Sequence, residues 1–590
     1  MNPVVNQFLV RTTQLRSRFG YAMPWILVSV FALALGGLVF AGANDSAVAK
    51  AAKNGDLAAV RKLIAAHADV NLADSDRSVA LLWAAYESDL EMTRALIAAG
   101  AKPDKANRYG VTPLLQASRT GDAAIMDALL KAGADPALAH PEGETPLMAA
   151  SRTGHLDAVR LLLDRKVDVN AADRYQEETA LMWASAEGHT DVVSALLEAG
   201  ADPNRKAHVT SLTDRKNADH PTGGFTALMW AARNGEEDVV RRLVKGGADM
   251  TLKNGDGATA AVIAIYNDRY DAAAALISLG SDVNDGSLYT AVEMRDSTTD
   301  QFAFDGSQLR PNHKNKLTAL DLITILLEHG ADPYKVFTGQ FHSTSMPNSD
   351  RFDNSAFFRA AVESDAEALK VLAAHMKDLD KVPEGAPPLP EPADGAAVVA
   401  AAGPRGGARG NPNAGRTATL VTMTGGRGPG MTGGPGYTGH DGPVPYREPG
   451  SRKPADALAV LLKAGANPNA KGPDGSTLLH QAAQARNLDI IRALADAKVN
   501  FNETNKDGLT ALDVAEGKQP ANAPARGGAP ARGGGAPPAV GGARGGRGAP
   551  AGPTTQDVAK LLRELMGLPP ALPSVDAASP AAAPVAGGTQ

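Results

Sequence analysis

The acidic and imidazole side chains of this 590-residue chain recur at fixed places, and their spacing decides what chemistry they can do. Asp168-Val169-Asn170 and Asp202-Pro203-Asn204 carry oxygen ligands of the kind calcium takes, but the clustered carboxylates and bidentate Glu of a calcium loop are missing. Asp and Asn in such pairs serve turns, where they bind nearby backbone. His155 and His189 are imidazoles of the kind a zinc site recruits, yet they stand one repeat apart, too far to share an ion. Gly428-Pro429-Gly430-Met431-Thr432-Gly433 fits GxGxxG without the strand before it and helix after it that a phosphate cradle needs. No GxxxxGK[ST], HExxH or GxSxG string occurs, and no stretch gathers a nucleophile, a base and an orienting acid. The reading is therefore not an enzyme, with no cofactor and no metal. The absence of Cys removes thiolate metal sites, a thiol nucleophile and disulfides.

The elements that carry these residues are copies of one unit. Thr145–Asn170, TPLMAASRTGHLDAVRLLLDRKVDVN, returns as Thr179–Asn204, TALMWASAEGHTDVVSALLEAGADPN. Each holds a short Ala-rich helix, a tight turn at Thr153-Gly154 or its equivalent, and a second helix. In the latter Val159, Leu162 and Leu163 fall at the spacing of one buried stripe. Neither helix is long enough to stand alone in water, so each unit must bury its apolar face on its neighbours. Helix openings at Val79, Thr112, Thr145 and Thr179 set a period of 33 to 34 residues.

The strings TPLLQAS, TPLMAAS, TALMWAS, TALMWAA, STLLHQAA and TALDVAE, with endings such as AGADPN, KVDVN and AGANPN, resemble the ankyrin repeat family. That resemblance implies an all-α solenoid of about twelve helix-turn-helix units with projecting β-turn fingers, interrupted by disordered insertions. It gives His155 and His189 a structural hydrogen bond, and it implies protein binding on the concave face. On that face one slot, four residues after the helix opening, holds Trp83, Gln116, Ala149, Trp183, Trp230, Ile263, Thr290, Arg359, Gln481 and Val514 in turn. So varied a column obeys no single packing rule. The expected partner-binding groove is Trp83, Gln116, Met182, Trp183, Met229, Trp230 and Ile263, centred on the Trp183/Trp230 patch, since Trp is enriched at binding hot spots. The competing reading is that large side chains in this slot only fill gaps between adjacent first helices.

Interruptions follow a rule. Those at 296–316, 404–454 and 518–553 sit between the two helices of a unit, whereas 205–223 and 334–353 enlarge the finger between units. Loop closure costs only about 0.6 kcal/mol per doubling of length, so both kinds are tolerated at a surface turn. The domain reading is repeats over 44–403 and 455–517, Pro/Gly-rich disordered insertions at 404–454 and 518–553, a terminal capping helix at 554–566 and a disordered tail at 567–590. Ala396–Ala402 is taken as the first helix of the unit completed by Ala455–Gly465. Lys50 and Lys53 at the start, and Gln556, Lys560, Arg563 and Glu564 at the end, supply the polar outer faces that terminal repeats need. Val558, Leu561, Leu562 and Leu565 form the last apolar stripe.

Residues 1–43 contain no Asp or Glu, carry Arg11, Arg16 and Arg18, and run apolar over 21–40 before Ala41-Gly42-Ala43. They read as a bacterial-type export segment, either a cleaved signal peptide or an uncleaved anchor in the inner membrane through 21–40, with the repeats outside the cytoplasm. The expectation is a monomeric, non-catalytic scaffold binding unidentified proteins in the periplasm or extracellular space, in membrane contact only through that segment. A net charge of −6 and the export segment argue against nucleic acid. A secreted effector-like binder is one alternative. Another is an envelope structural protein holding an anionic polymer through Arg-Gly segments at Arg405, Arg409, Arg427, Arg526, Arg532, Arg544 and Arg547.

Overall fold

Short helices that cannot stabilise themselves dictate an architecture of stacked pairs. The computed structural model describes residues 46–210, 222–295, 315–337, 354–362, 364–379, 453–472, 475–518 and 553–570. These fall into two compact bodies, one ending at Ala356 and one beginning at Phe357. In the first body the pairs are α1 (Ala47–Lys53) with α2 (Leu57–Ala65), α3 (Ala80–Tyr86) with α4 (Leu90–Ala98), α5 (Pro113–Thr120) with α6 (Ala123–Lys131), and α7 (Pro146–Thr153) with α8 (Leu156–Leu163). They continue as α9 (Ala180–Ala186) with α10 (Thr190–Glu198), α11 (Ala227–Asn234) with α12 (Glu237–Lys245), α13 (Ala260–Tyr266) with α14 (Tyr270–Ser278), and α15 (Ser287–Met294) with α16 (Ala319–Glu328). First helices pack on first helices and second on second, giving two layers with the core between them. Residues 296–314 intervene between α15 and α16, yet the two helices still pack as a pair.

The remaining helices are α17 (Ala356–Val362), α18 (Ala366–Ala373), α19 (Pro454–Lys463), α20 (Leu478–Gln484), α21 (Leu488–Asp496), α22 (Ala511–Ala515) and α23 (Thr555–Leu565). In the second body α18, α19 and α21 stack as second helices, α20 packs on α22, and α23 closes against α20, α21 and α22. Leu458, Leu478, Ile490, Leu494, Val558 and Leu562 form its core. The stretch Ala396–Ala402, the export segment at 1–43 and nearly all of 404–454, 518–553 and 567–590 lie outside the described residues. Among the described residues no helix is long and apolar enough to cross a membrane.

Many of the helix starts are capped by their own sequence. Thr112, Thr145, Thr179 and Thr226 accept the backbone N–H three residues on, at 3.1 to 3.3 Å, and Pro113 and Pro146 fill the first helical position, where an N–H is not needed. Val79 opens α3 with no such bond. The second-helix stripe in Thr145–Asn170 is Ala158, Val159 and Leu162, with Leu163 only half-buried at its margin. Two fingers are lengthened into strand pairs. β1 (Val209–Thr210) runs antiparallel to β2 (Thr222–Gly223), and β3 (Val336–Phe337) to β4 (Asn354–Ser355).

One finger is missing. Asn284-Asp285-Gly286 leads straight into α15, and the gap in the finger row is a cavity of about 520 Å³ walled by Lys253, Asp256, Tyr289, Lys335 and Phe337 over Asp285. Two terminal expectations need correction. Arg563 is half-buried and ion-paired to Glu516, because its position on α23 faces the end of α22 instead of the outer surface. Leu565 is exposed, and Ala559 takes its place in the stripe beside Val558 and Leu562.

Asn residues at the second-helix ends join one unit to the next. Asn71 donates its amide to Gly100 O at 3.0 Å while its carbonyl accepts Lys102 N–H at 2.8 Å. Asn170 does the same to Gly200 and Asp202, and Asn204 to Gly247 and Asp249. The preceding Asp of each pair folds the turn, accepting the N–H two residues on. At the other end of several units the first helix stops at a glycine in the left-handed region, among them Gly121, Gly154, Gly188 and Gly235. Gly154, at φ +76°, lies under the ring of His189, so an added Cβ would meet that ring at 2.5 Å. His189 Nε2 also contacts Arg152 O at 3.0 Å. Gly154→Ala is expected to lower stability by about 2 kcal/mol, from left-handed backbone strain plus the steric clash. Urea denaturation of Gly154→Ala with and without His189→Ala checks this, the cost being smaller in the His189→Ala background.

Candidate partner-binding site

The face built by first helices and fingers exposes two columns. One is the slot four residues after each helix opening; the other lies three residues further on and holds Tyr86, Arg119, Arg152, Ala186 and Arg233. Trp83, Gln116, Trp183 and Trp230 are half-buried with accessible edges. Met182, Met229 and Ile263 are 2%, 1% and 0% exposed, so they cannot meet a partner and are removed from the groove. The Met229 side chain stands over its helix opening, with Sδ 3.5 Å from Thr226 N, as Met148 Sδ stands 3.4 Å from Thr145 N. Ile263 belongs to α13, which is apolar all round and buries six of its residues. Ala149 and Thr290 in the slot are buried as well.

The three Trp rings differ in how the fold holds them. Trp83 donates its indole N–H to Asp74 Oδ2 at 3.0 Å, meets the edge of Tyr86 at 5.8 Å, and carries Lys53 Nζ 4.6 Å from its ring centre. Asp74 also caps its own finger through Oδ1, to the N–H groups of Asp76 and Ser78. In the unit of Trp183 the finger is one residue longer, and the equivalent Asp173 is used up within it. Its Oδ1 accepts the N–H of Tyr175 and of Gln176, and its Oδ2 that of Glu178. The buried indole N–H groups of Trp183 and Trp230 have no acceptor among the described residues. Arg152 lies 5.0 Å from the Trp183 ring, Arg233 5.3 Å from the Trp230 ring, and Phe225 packs on Trp230 at 5.0 Å. Such cation–π contacts fix a guanidinium over an aromatic surface.

Carboxylates at the finger bases complete the face. Arg119 forms a half-buried ion pair with Glu144. Burial pushes the Glu144 carboxyl up, but the charge and hydrogen bond of Arg119, with Arg152 and His140 behind, hold it below the ordinary range. Glu178, its counterpart one unit on, is pushed up to about 8 by burial and by the charge of Asp173, with Arg233 opposing. Arg119, Arg152, Arg233, Glu144 and Glu178 were absent from the expected groove, although the Arg column is visible once the repeats are aligned at the capping Thr. The Asp-Asn pairs are engaged in finger turns and inter-unit bonds, and His189 in contact with the previous turn.

Comparison with known proteins follows this geometry. A family model described as ankyrin repeats in three copies matches 48–140, 129–207 and 208–287, and one described as ankyrin repeats in many copies matches 461–515, together half of the chain. The chain belongs to the ankyrin repeat family. The ankyrin repeat domain of human ASB11 is 27% identical over 40% of this chain and 98% of its own, with a TM-score of 0.34. The ankyrin repeat domain of Bcl-3, titled a unique member of the IkappaB protein family, is 27% identical over 37% of this chain and 93% of its own, with a TM-score of 0.32. No curated protein matches.

Glu178 makes the face pH-dependent. Its folded carboxyl is less acidic than the ordinary 4.5, so its contribution to stability is complete below about 4.5 and lost as pH rises through about 8. The side chain is only half-buried, and solvent screens part of the effect. Relative to the parent, Glu178→Gln is expected to be nearly neutral at pH 4.5, increasingly stabilising toward pH 8 and level above it. Thermal denaturation across that range checks this, and a difference that does not change with pH would contradict it.

Proposed function

We propose that the array is a non-catalytic scaffold that holds a protein partner on the first-helix face around Trp183 and Trp230, outside the cytoplasm. The observation that carries the binding reading is that these two Trp residues, in consecutive units, are each only partly buried and each overlaid by a guanidinium. Ankyrin repeats generally serve protein–protein interaction, and the stack leaves the slot only partly covered at Trp83, Gln116, Trp183 and Trp230. Large aromatic area beside Arg is the composition of binding hot spots. The location rests on the sequence of residues 1–43, whose positive flank, apolar run and small-residue ending fit export. The scaffold is taken to act as a monomer.

The test is capture of partners from the exported fraction by the full chain and by the Trp183→Ala/Trp230→Ala variant, with N-terminal sequencing of the recovered protein. Loss of a specific partner with helicity retained is the expected result. A cooperative loss of helicity on substitution would favour the gap-filling role of the Trp rings instead. A chain recovered from the cytoplasm alone would overturn the location.

A further inference from the structure

We propose that the gap left by the omitted finger, between Asp285 and α15, is a socket for a tight turn of a partner protein that carries a basic side chain. The socket lies in the finger row and is lined without Trp183 or Trp230, so it is a second point of contact on the array.

Fingers of the first body are tied to one another through their backbones. Arg108 N–H donates to Asp76 O at 3.0 Å, Arg174 N–H to Glu142 O at 2.9 Å, His208 N–H to Gln176 O at 2.6 Å and Gly255 N–H to Gly223 O at 2.8 Å. The turns themselves are held from within. Asn107 Oδ1 accepts the N–H groups of Tyr109 and Val111, and Asn254 Oδ1 those of Asp256 and Ala258. After the finger of Asn254 the row breaks. Asn71 and Asn170 are each followed by a whole turn before the next first helix opens at Val79 or Thr179, but Asn284 is followed only by Asp285 before Gly286, which opens α15 at φ +112°. The helix layers below are continuous, α13 packing on α15 and α14 on α16. Only the turn is omitted, and its place is a space of about 520 Å³, within the roughly 300 to 1,000 Å³ of clefts that hold a ligand.

The walls suit a turn. The finger of Asn254 contributes Lys253 and Asp256, β3 contributes Val336 and Phe337, and α15 contributes Leu288 and Tyr289. Tyr289 and Phe337 stack with ring centres 5.3 Å apart and planes at 26°, a flat apolar surface. The floor is closed by its own bonds, since Asp285 accepts the N–H and O–H of Ser287 on one oxygen and the O–H of Thr259 on the other. A guest turn is therefore held from its two sides, as each finger of the row is, and peptide added beside an existing backbone edge is a recurrent mode of recognition.

Charge selects the kind of turn. The carboxyl groups of Asp256, Asp282, Asp285 and Asp332 line the gap with the ammonium groups of Lys253 and Lys335. Burial pushes the Asp285 carboxyl up against the hydrogen bonds of Ser287 and Thr259, and even with Asp285 neutral the acids exceed the bases. Both Lys residues are exposed, where solvent screens their charge. Elsewhere in the row a basic side chain of the following finger reaches back to an oxygen of the preceding unit. Arg108 stands 3.4 Å from the Asp76 carboxylate, and Lys105 and Arg205 donate to Asn71 O and Asn170 O at 2.7 and 2.9 Å. A guest turn flanked by Arg or Lys repeats that relation, whereas an acidic one meets an excess of carboxylates.

The experiment measures binding of fluorescent peptides to the full-length protein by anisotropy. One peptide is a disulfide-closed hairpin with an Asn-Gly turn flanked by Arg; a second has Glu in place of Arg, a third is the Arg sequence as an open linear chain, and indole is a small aromatic probe. The protein has no Cys to exchange with the disulfide. Expected are tightest binding of the Arg hairpin and about tenfold weaker binding of the Glu hairpin, the size of a reversed charge contact at a partly screened site. The linear chain binds more weakly than the hairpin, and inserting Asn-Gly-Asp-Gly-Ala after Asp285, which supplies the finger, abolishes binding. Lys335→Glu, at an exposed position, raises affinity for the Arg hairpin about threefold. The Trp183→Ala/Trp230→Ala variant binds it like the parent, and circular dichroism establishes that each variant stays folded. A linear chain or Glu hairpin bound as well as the Arg hairpin, a folded insertion variant that binds like the parent, or no gain from Lys335→Glu would each overturn the proposal. Hairpin binding lost in the Trp double variant would overturn it by moving the contact to the Trp surface. Indole bound by the parent and lost on insertion, with no hairpin bound, would overturn it in favour of a small aromatic ligand.

Discussion

An Asn amide laid across two backbone groups of the following unit is the contact on which this array depends. The described helices are five to eleven residues long and marginal by themselves, so the chain gains stability only by adding neighbours. Asn71, Asn170 and Asn204 each offer a donor and an acceptor to the next second-helix end and fix the register of one repeat on another. The same dependence appears at the turn, where Gly121, Gly154, Gly188 and Gly235 lie under His155, His189, Glu236 and Arg269 of the next unit. No unit is complete without the one that follows it.

Because register is held by backbone, glycine and these amides, the slot positions that are not buried accept different side chains, and small departures near them have local consequences. One extra residue in the finger before Thr179 uses both oxygens of Asp173 on its own turn, and the Trp183 N–H loses the acceptor that Trp83 finds in Asp74. The omitted finger at Asp285-Gly286 opens a cavity where other units have a turn. The face so produced has guanidinium groups lying on aromatic rings beside one carboxyl that burial and Asp173 push up to about 8. These features belong mostly to the deviations of the repeat, and its most regular copy, Thr145–Asn170, supplies only the Arg152 guanidinium.

The fold was legible because its determinants are local and repeated: Thr at most openings, Gly at many turns, Asp-Asn pairs at several unit ends, and apolar residues at helical spacing. The helix pairs split by long intervening stretches could be matched for the same reason, as α15 and α16 show. The site was less legible because exposure is a property of neighbours. Met182 and Met229 sit next to Trp on the helix surface in sequence terms, but they are covered at the helix openings. Ile263 shares the Trp slot and is hidden because its whole helix is apolar. The raised carboxyl of Glu178 depends on its burial and on the charge of Asp173, neither visible along the chain, and Arg563 reads as an outer cap residue until Glu516 is placed opposite it.

The central claim is that binding uses the first-helix face, where side chains are free to vary, and not the second-helix face. A photo-crosslinking residue placed at Ala186, beside Trp183, and separately at Arg160 on α8 tests it most directly, since both positions are accessible and neither carries an inter-unit bond through its side chain. The account predicts a partner adduct from position 186 and none from position 160. Adducts from position 160 with none from position 186 would contradict it.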